Sequence, residues 1–315
     1  MKLSFTSEIK KELILIEEET CCLQVELAAI IRMNGVLSSI APHTMLDIQT
    51  ESAAIARRIF TILKRVFSGP VELLVRKKMK LKKNNIYIVR IKHGVEVLLD
   101  TLEIDYEQDG FEPTDLQNAL PNNCCRRAYL RGAFIARGSI NNPETASYHL
   151  EIFNLDQDHN HELCTLLNMY ELNAKELQRR NGYIIYMKEA EKITEFLRII
   201  GANNALFKFE DVRIVRDMRN SVNRIVNCET ANMNKTISAS VRQVESIKYI
   251  KETVGLDVLP DRLKEIAEMR LQYPEVTLQE LGEYLPSGKL SKSGVNHRLK
   301  KIEEVANNLK TGEEI

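Results

Sequence analysis

No run of apolar residues approaches the roughly 18 that a membrane-crossing helix needs. The N-terminus also lacks the charged-then-apolar layout of a secretory signal. Its opening, "MKLSFTSEIKKELILIEE", instead sets Phe5, Ile9, Leu13 and Ile16 at helical spacing among charges, so a cytoplasmic protein is expected. Cysteine is present six times, but never as CxxC and never with histidines at zinc-finger spacing. Reduced thiols are the simplest reading of Cys21, Cys22, Cys124, Cys125, Cys164 and Cys228. A four-cysteine metal site built from the two CC pairs is the lesser alternative, and no cofactor is expected. Walker loops, HExxH and GxSxG are absent, which removes the commonest phosphate-binding, zinc-protease and serine-hydrolase signatures.

Net charge is also absent, with 44 basic and 44 acidic residues, but the balance hides segregation. From Arg57 to Lys92 there are twelve Lys or Arg against a single acid, Glu72, whereas His93 to Asn123 holds acids and no Lys or Arg. A polyanion responds to the surface it meets rather than to the sum over the chain, so a neutral total does not exclude nucleic acid. At 315 residues, with 44% hydrophobic and 28% charged, the chain is long enough for two or three domains with real cores.

What is present is a repeat. Cys22 precedes Gly35 by the same interval as Cys125 precedes Gly138, and each glycine is followed by the same succession of elements. "ELAAIIRMNG" reads as a helix with a glycine stop, followed by strands in "GVLSSIAP" and "TMLDIQT". A helix with Ile55, Ile59 and Ile62 on one face comes next, then a hairpin turning near Lys83 to Asn85, and "GVEVLLDTL" as the closing helix. "RRAYLRGAFIARG", "SYHLEIFNL", "NHELCTLLNMYEL", a hairpin at Asn181-Gly182 and "EAEKITEFLRIIGA" repeat that order, α-β-β-α-β-β-α. Repeat one spans about 1–105 and repeat two about 124–218, with the acidic stretch Glu96 to Pro121 between them. Small residues on one face of each leading helix fit a close helix–helix seam. Superposition sets Ala29 with Gly132, Met33 with Ala136 and Gly35 with Gly138, flanked by Ala28 and Ala133. Ordinary packing inside separate domains is the plainer alternative.

"LAAIIRMNG" and "LRGAFIARG", in this repeat order, resemble the LAGLIDADG homing-endonuclease fold, whose paired helices form the domain interface beneath a DNA-binding saddle. That resemblance implies an acid just before each closing glycine, holding a divalent metal at the scissile phosphate. Asn34 and Arg137 stand at the matching positions. A neutral amide is a poor ligand for hard Mg²⁺, and a guanidinium puts positive charge where the cation would sit. The expectation is a nuclease scaffold with no catalytic residue and no metal, Arg137 contacting a phosphate or an acid across the seam. An active nuclease or RNA maturase is the alternative.

Two further motifs are open to two readings each. "VRKKMKLKKNNIYIVR" puts Lys78, Lys80 and Lys82 on one strand face, with Lys83 near the turn, either as a phosphate ridge or as a lysine-protected sheet edge. "DQDHNHE" suggests metal ligands, but its position at a helix start favours an aspartate cap over a site made with His43, His149, His159 and His161.

Beyond Ala202 the pattern is helical. "FEDVRIVRDMRNSVNRIVNCETANMNK" carries Arg213, Arg216, Arg219 and Arg224, with Arg219 and Arg224 as candidate phosphate contacts. A helix with Ile237, Val241, Val244 and Ile247 on one face stops at Gly255, and Pro260 opens the next. Thr277 and Glu280 form a capping box for a short helix with Leu278, Leu281 and Leu285. After the turn "PSGKLS", a helix starting near Ser291 or Ser293 carries the stripe Val295, Leu299, Ile302, Ala306 and Leu309. Opposite it lie Lys292, Asn296, His297, Lys300 and Lys301, with Arg298 at the margin, and no acid occurs from Tyr284 to Ile302. Together with Lys289, Ser291 and Ser293 these residues fit a helix-turn-helix whose second helix enters the major groove, Lys and Arg meeting phosphate or guanine and Asn reading adenine. A small bundle with a charged outer face is the alternative.

An inactive LAGLIDADG-like region followed by a helix-turn-helix resembles the WhiA family of Gram-positive bacteria. The stretches "RKKMKLKKNNIYIVR", "NNPETASYHLEIF" and "FEDVRIVRDMRNSVNRIVNCETANMNK" extend the likeness over nearly the whole chain. The helix-turn-helix also resembles the promoter-reading region four of sigma factors. The family resemblance implies an α+β duplicated domain over 1–218 and an all-α domain over 222–315, with its motif at about 277–309. It implies a nucleoid-associated transcription regulator of cell division, chromosome segregation and sporulation. Its implied partners are double-stranded promoter DNA and, further, the transcription machinery or a WhiB-like co-regulator, with no membrane partner.

Overall fold

The computed structural model describes residues 4–40, 43–77, 85–107, 110–112, 114–145 and 147–312. The chain forms two compact units, Met1–Arg216 and Asp217–Ile315. The first begins with α1 (Phe5–Leu13), capped by Ser4 and burying Phe5, Ile9 and Leu13, the stripe anticipated from the sequence. Two copies of one unit follow. The first runs α2 (Thr20–Asn34), β1 (Gly35–Ile40), β2 (His43–Thr50), α3 (Ala53–Val66), β3 (Val71–Lys77), β4 (Asn85–Ile91) and α4 (Val95–Thr101). The linking segment holds β5 (Tyr106–Glu107), β6 (Gly110–Phe111) and α5 (Leu116–Ala119). The second copy runs α6 (Asn123–Arg137), β7 (Gly138–Ile140), β8 (Leu150–Asn154), α7 (Gln157–Asn168), β9 (Lys175–Arg179), β10 (Gly182–Met187) and α8 (Ala190–Ile200).

The sheets match strand for strand. Their orders are β1-β2-β4-β3 and β7-β8-β10-β9, antiparallel at every pairing. Alternation sends Leu46 and Ile48 into the core, while Asp47 between them pairs across the strands with Arg90 at 2.7 Å on both oxygens. Helix α3 buries Ile55, Ile59 and Ile62 as expected, with Ser52 accepting from the Ile55 N–H.

The two copies meet through α2 and α6, which run parallel: residues of their first turns cluster at one end, and Asn34 and Arg137 meet at the other. Ala28, Ala29, Gly132 and Ala133 are buried in this seam. A Cβ at Gly132 would strike the Glu26 carbonyl oxygen and come within 2.9 Å of the Ala29 Cβ, so Gly132 sets the approach distance. The closing glycines act differently from the sequence expectation. A Cβ at Gly35 or Gly138 would meet the preceding turn of its own helix, Ile31 or Phe134, so these residues permit a tight helix-to-strand exit rather than the seam.

The second unit contains the C-terminal part of α9 (Asn203–Thr253), then α10 (Asp261–Gln272), α11 (Leu278–Glu283) and α12 (Lys292–Thr311). Its core joins Ile247, Ile250, Ile266, Leu281, Val295, Leu299 and Ile302. Buried Arg270 donates to Gln243 at 3.0 and 2.9 Å and to the Val276 carbonyl at 2.7 Å, tying α9, α10 and the entry to α11 together. One expectation is corrected. Ile237 and Val241 are half exposed, and α9 turns Ser240, Gln243, Ile247 and Ile250 inward instead. Satisfied polar groups outcompete the apolar stripe there, because Ser240 and Gln243 find partners at the Pro274 carbonyl and Arg270.

Candidate nucleic-acid interface

The C-terminal motif is assembled locally. Thr277 and Glu280 complete the reciprocal capping box, the Glu280 carboxylate accepting from the Thr277 N–H at 2.8 Å. Those bonds hold the exposed Glu280 carboxyl below its ordinary value. After α11 the chain turns over residues 284–291, with Gly288 at φ +116°, a conformation suited to glycine. The turn closes where the Leu290 N–H donates to the Gly282 carbonyl at 3.0 Å. A Cβ on Gly282 would strike the Leu290 carbonyl, so this glycine lets the turn lie on the short helix. Ser291 then caps α12, accepting from the Gly294 N–H at 3.3 Å.

Helix α12 buries Val295, Leu299, Ile302 and Ala306, the stripe read from the sequence. Lys289, Ser291, Lys292, Ser293, Asn296, His297, Lys300 and Lys301 are exposed. Two of the residues singled out also have local duties: Ser291 caps, and Arg298 is half-buried and donates to the Arg262 carbonyl at 3.4 Å.

Elsewhere the candidates separate. Lys78, Lys80, Lys82 and Lys83 lie outside the described residues, while Arg76 and Lys77, at the end of β3, are exposed. Arg219 and Arg224 are exposed on α9, and Arg224 donates to Ser221 at 3.4 Å.

Asn34 and Arg137 meet across the seam, the guanidinium Nε donating to the Asn34 Oδ1 at 2.7 Å. Across the seam Arg137 therefore meets an amide rather than an acid, and its guanidinium also lies 5.5 Å from the Phe153 ring. Both residues line a cavity of about 700 Å³ with Lys10, Gln49, Thr50 and Glu51. Burial pushes the Lys10 amine down to about 8. An amide and a guanidinium occupy the two positions at which paired carboxylates would hold a divalent cation, and the acid on the cavity wall, Glu51, shares it with Lys10.

The sequence reading missed the buried charges behind this position. The Glu26 carboxylate, wholly buried on α2, accepts from Arg131 of α6 at 2.8 Å and from Arg58 of α3 at 3.0 Å, and Arg131 also reaches Glu18 at 3.0 Å. A lone acid in "ELAAII" and a lone base in "YLRGAF" were the available signal.

The histidines of "DQDHNHE" are engaged otherwise. Asp156 caps α7 by accepting from the His159 N–H. His159 is buried between Tyr129 at 2.7 Å and Asn154 at 3.0 Å, and burial pushes its imidazole down to about 3. His161 lies 3.0 Å from Glu176, and His149 lies 3.2 Å from Glu151. Among the described residues, the group with metal-ligand proximity is Cys21, Cys22 and Cys125, whose sulfurs lie within 4.8 Å of one another. No helix among the described residues is long and apolar enough to cross a membrane.

A duplicated α-β-β-α-β-β-α domain on a parallel helix pair, with a C-terminal helix-turn-helix, defines a LAGLIDADG-like class with an appended HTH domain. Three family models match successive parts of the chain: the WhiA N-terminal LAGLIDADG-like domain over residues 20–105, the WhiA LAGLIDADG-like domain over 126–219 and the WhiA C-terminal HTH domain over 222–306. The chain belongs to the WhiA family. It is 60% identical over 313 residues to the probable cell division protein WhiA of Bacillus subtilis (strain 168), covering 99% of each chain. It is 63% identical to that of Oceanobacillus iheyensis, covering 99% of this chain and 100% of the other. Full-length DUF199/WhiA from Thermatoga maritima has a similar crystal structure, with a TM-score of 0.60 at 28% identity, covering 98% of this chain and 99% of that one.

Proposed function

We propose that this protein is a sequence-specific DNA-binding transcription regulator acting in cell division, chromosome segregation and sporulation, built on a scaffold that has lost nuclease chemistry. The observation that carries the reading is the exposed N-terminal half of α12, free of acids through Ile302, where Lys292, Asn296, His297, Lys300 and Lys301 stand opposite the buried Val295, Leu299 and Ile302. Such a helix, held by a short helix and a glycine turn, suits major-groove docking: amides discriminate bases and lysines neutralise phosphates. Lys289, Ser291 and Ser293 extend that surface. Arg219 and Arg224, with the lysines at 78, 80, 82 and 83, are proposed as sequence-independent contacts. The cell-division role follows the names of the relatives.

Promoter DNA is the proposed ligand, with the transcription machinery or a WhiB-like co-regulator as further partners. The Asn34–Arg137 contact supports a non-enzymatic reading, because it leaves no paired acids for Mg²⁺ at the scissile position. Competition binding against specific and scrambled DNA tests the proposal. Asn296→Ala is expected to narrow the specificity ratio, a base-reading contact being worth about 1–3 kcal/mol. An unchanged ratio assigns the reading helix elsewhere. Site-specific cleavage of plasmid in Mg²⁺, abolished by Arg137→Ala, would restore the nuclease or maturase reading.

A further inference from the structure

The two CC pairs sit at equivalent places in the repeat: Cys21 and Cys22 are the second and third residues of α2, and Cys124 and Cys125 are the second and third of α6. Because the helices are parallel, both pairs come to the same end of the seam. The sulfurs of Cys21, Cys22 and Cys125 all lie within 4.8 Å of one another, and Cys124 Sγ lies 4.0 Å from Cys125 Sγ. Cys22 and Cys125 are buried, whereas Cys21 and Cys124 are exposed, which leaves a route in from solvent.

We propose that these four thiolates form a tetrahedral site for a soft d¹⁰ cation, zinc(II), clasping the N-terminal ends of α2 and α6. A Zn–S bond of about 2.3 Å makes each S···S edge of a tetrahedron about 3.8 Å, against separations of up to 4.8 Å among Cys21, Cys22 and Cys125 and 4.0 Å between Cys124 and Cys125. Four sulfurs and no competing carboxylate in the cluster select a thiophilic ion over Mg²⁺ or Ca²⁺. The fold also prepares for the charge. Zinc bound by four thiolates carries two net negative charges, and it would sit at two helix N-termini, where exposed N–H groups and the macrodipoles favour anions. Neither helix is capped by its own N-cap side chain, Glu19 or Asn122, a feature they share with α4, α8 and α10. A metal here would join the repeats at one end of the seam, as the Asn34–Arg137 bond joins them at the other.

Titration of the reduced, chelator-treated full chain with Co²⁺, followed by displacement with Zn²⁺, tests the site. The expected result is one equivalent of Co²⁺ bound, with the ligand-field and sulfur-to-cobalt absorption of tetrahedral thiolate coordination, lost on adding equimolar Zn²⁺. The surface variant Cys21→Ser/Cys124→Ser should lose the sulfur-to-cobalt band and any Zn²⁺-dependent rise in melting temperature, while Cys228→Ser, on an exposed part of α9, keeps both. Absence of the tetrahedral spectrum in the parent chain overturns the site. So does an undiminished band in the Cys21→Ser/Cys124→Ser variant, or a disulfide within the cluster that persists in reductant.

Discussion

Arg137 and Asn34 close the seam between the two repeats with a single hydrogen bond of 2.7 Å, at the positions where a LAGLIDADG nuclease would hold its metal. Burial pulls the Arg137 guanidinium below its ordinary value, yet arginine stays charged at any physiological pH. The two positions form a junction between α2 and α6. About two turns back along α2 and α6 lies a buried charge cluster, Glu26 with Arg131, joined by Arg58 from α3.

That cluster gives the first prediction. Glu26→Gln leaves Arg131, whose side chain is 3% exposed, without its buried counter-charge. Breaking one side of a buried pair typically costs about 3–5 kcal/mol, so the urea midpoint of the first unit should fall by that equivalent. A loss below about 1 kcal/mol would mean that water and the existing Glu18 bridge satisfy Arg131 without Glu26.

Gly132→Ala probes the seam spacing. The added methyl would enter the Glu26 carbonyl and crowd Ala29, so α2 and α6 must separate. Overpacking of this kind costs about 1–3 kcal/mol. Gly110→Ala is the control, since nothing lies within 4 Å of a Cβ there, and a surface change of that kind stays within about 0.5 kcal/mol. Equal midpoints for the two variants would contradict the close approach at Gly132.

His159 supplies a pH dependence. Its imidazole is held down to about 3 by burial first and by the charge of Arg32 second. The folded value lies below the unfolded one of about 6.5, so the unfolded chain binds the proton more readily. The contribution of neutral His159 is therefore full above about pH 6.5 and is lost progressively as pH falls toward about 3. Its ring resonances should stay unshifted by NMR from about pH 7 to about pH 4.5 while stability declines. A titration of His159 centred near 6.5 would contradict the buried Tyr129–His159–Asn154 chain.

Much of this was legible in the sequence because it is periodic. Equal Cys-to-Gly intervals exposed the repeat, and the spacing of Val295, Leu299 and Ile302 exposed the inward face of α12. What escaped has no local period. Glu26 and Arg131 are far apart in the chain and meet through the pseudo-twofold seam, a long-range contact that no single helix pattern announces. Apolar spacing misled at Ile237 and Val241, because a buried polar pair, Gln243 with Arg270, turns α9 the other way. The cysteine pairs marked the repeat, and a shared site was only the lesser reading of them until the parallel helices brought both pairs to one end.

The central claim is that the exposed cationic and amide face of α12 engages the DNA duplex. The most direct test is the salt dependence of promoter binding by the full chain and by Lys300→Ala. The log–log slope should become shallower by about 1 in the variant, with affinity falling on specific and scrambled DNA alike. An identical slope and affinity for the variant would contradict the account.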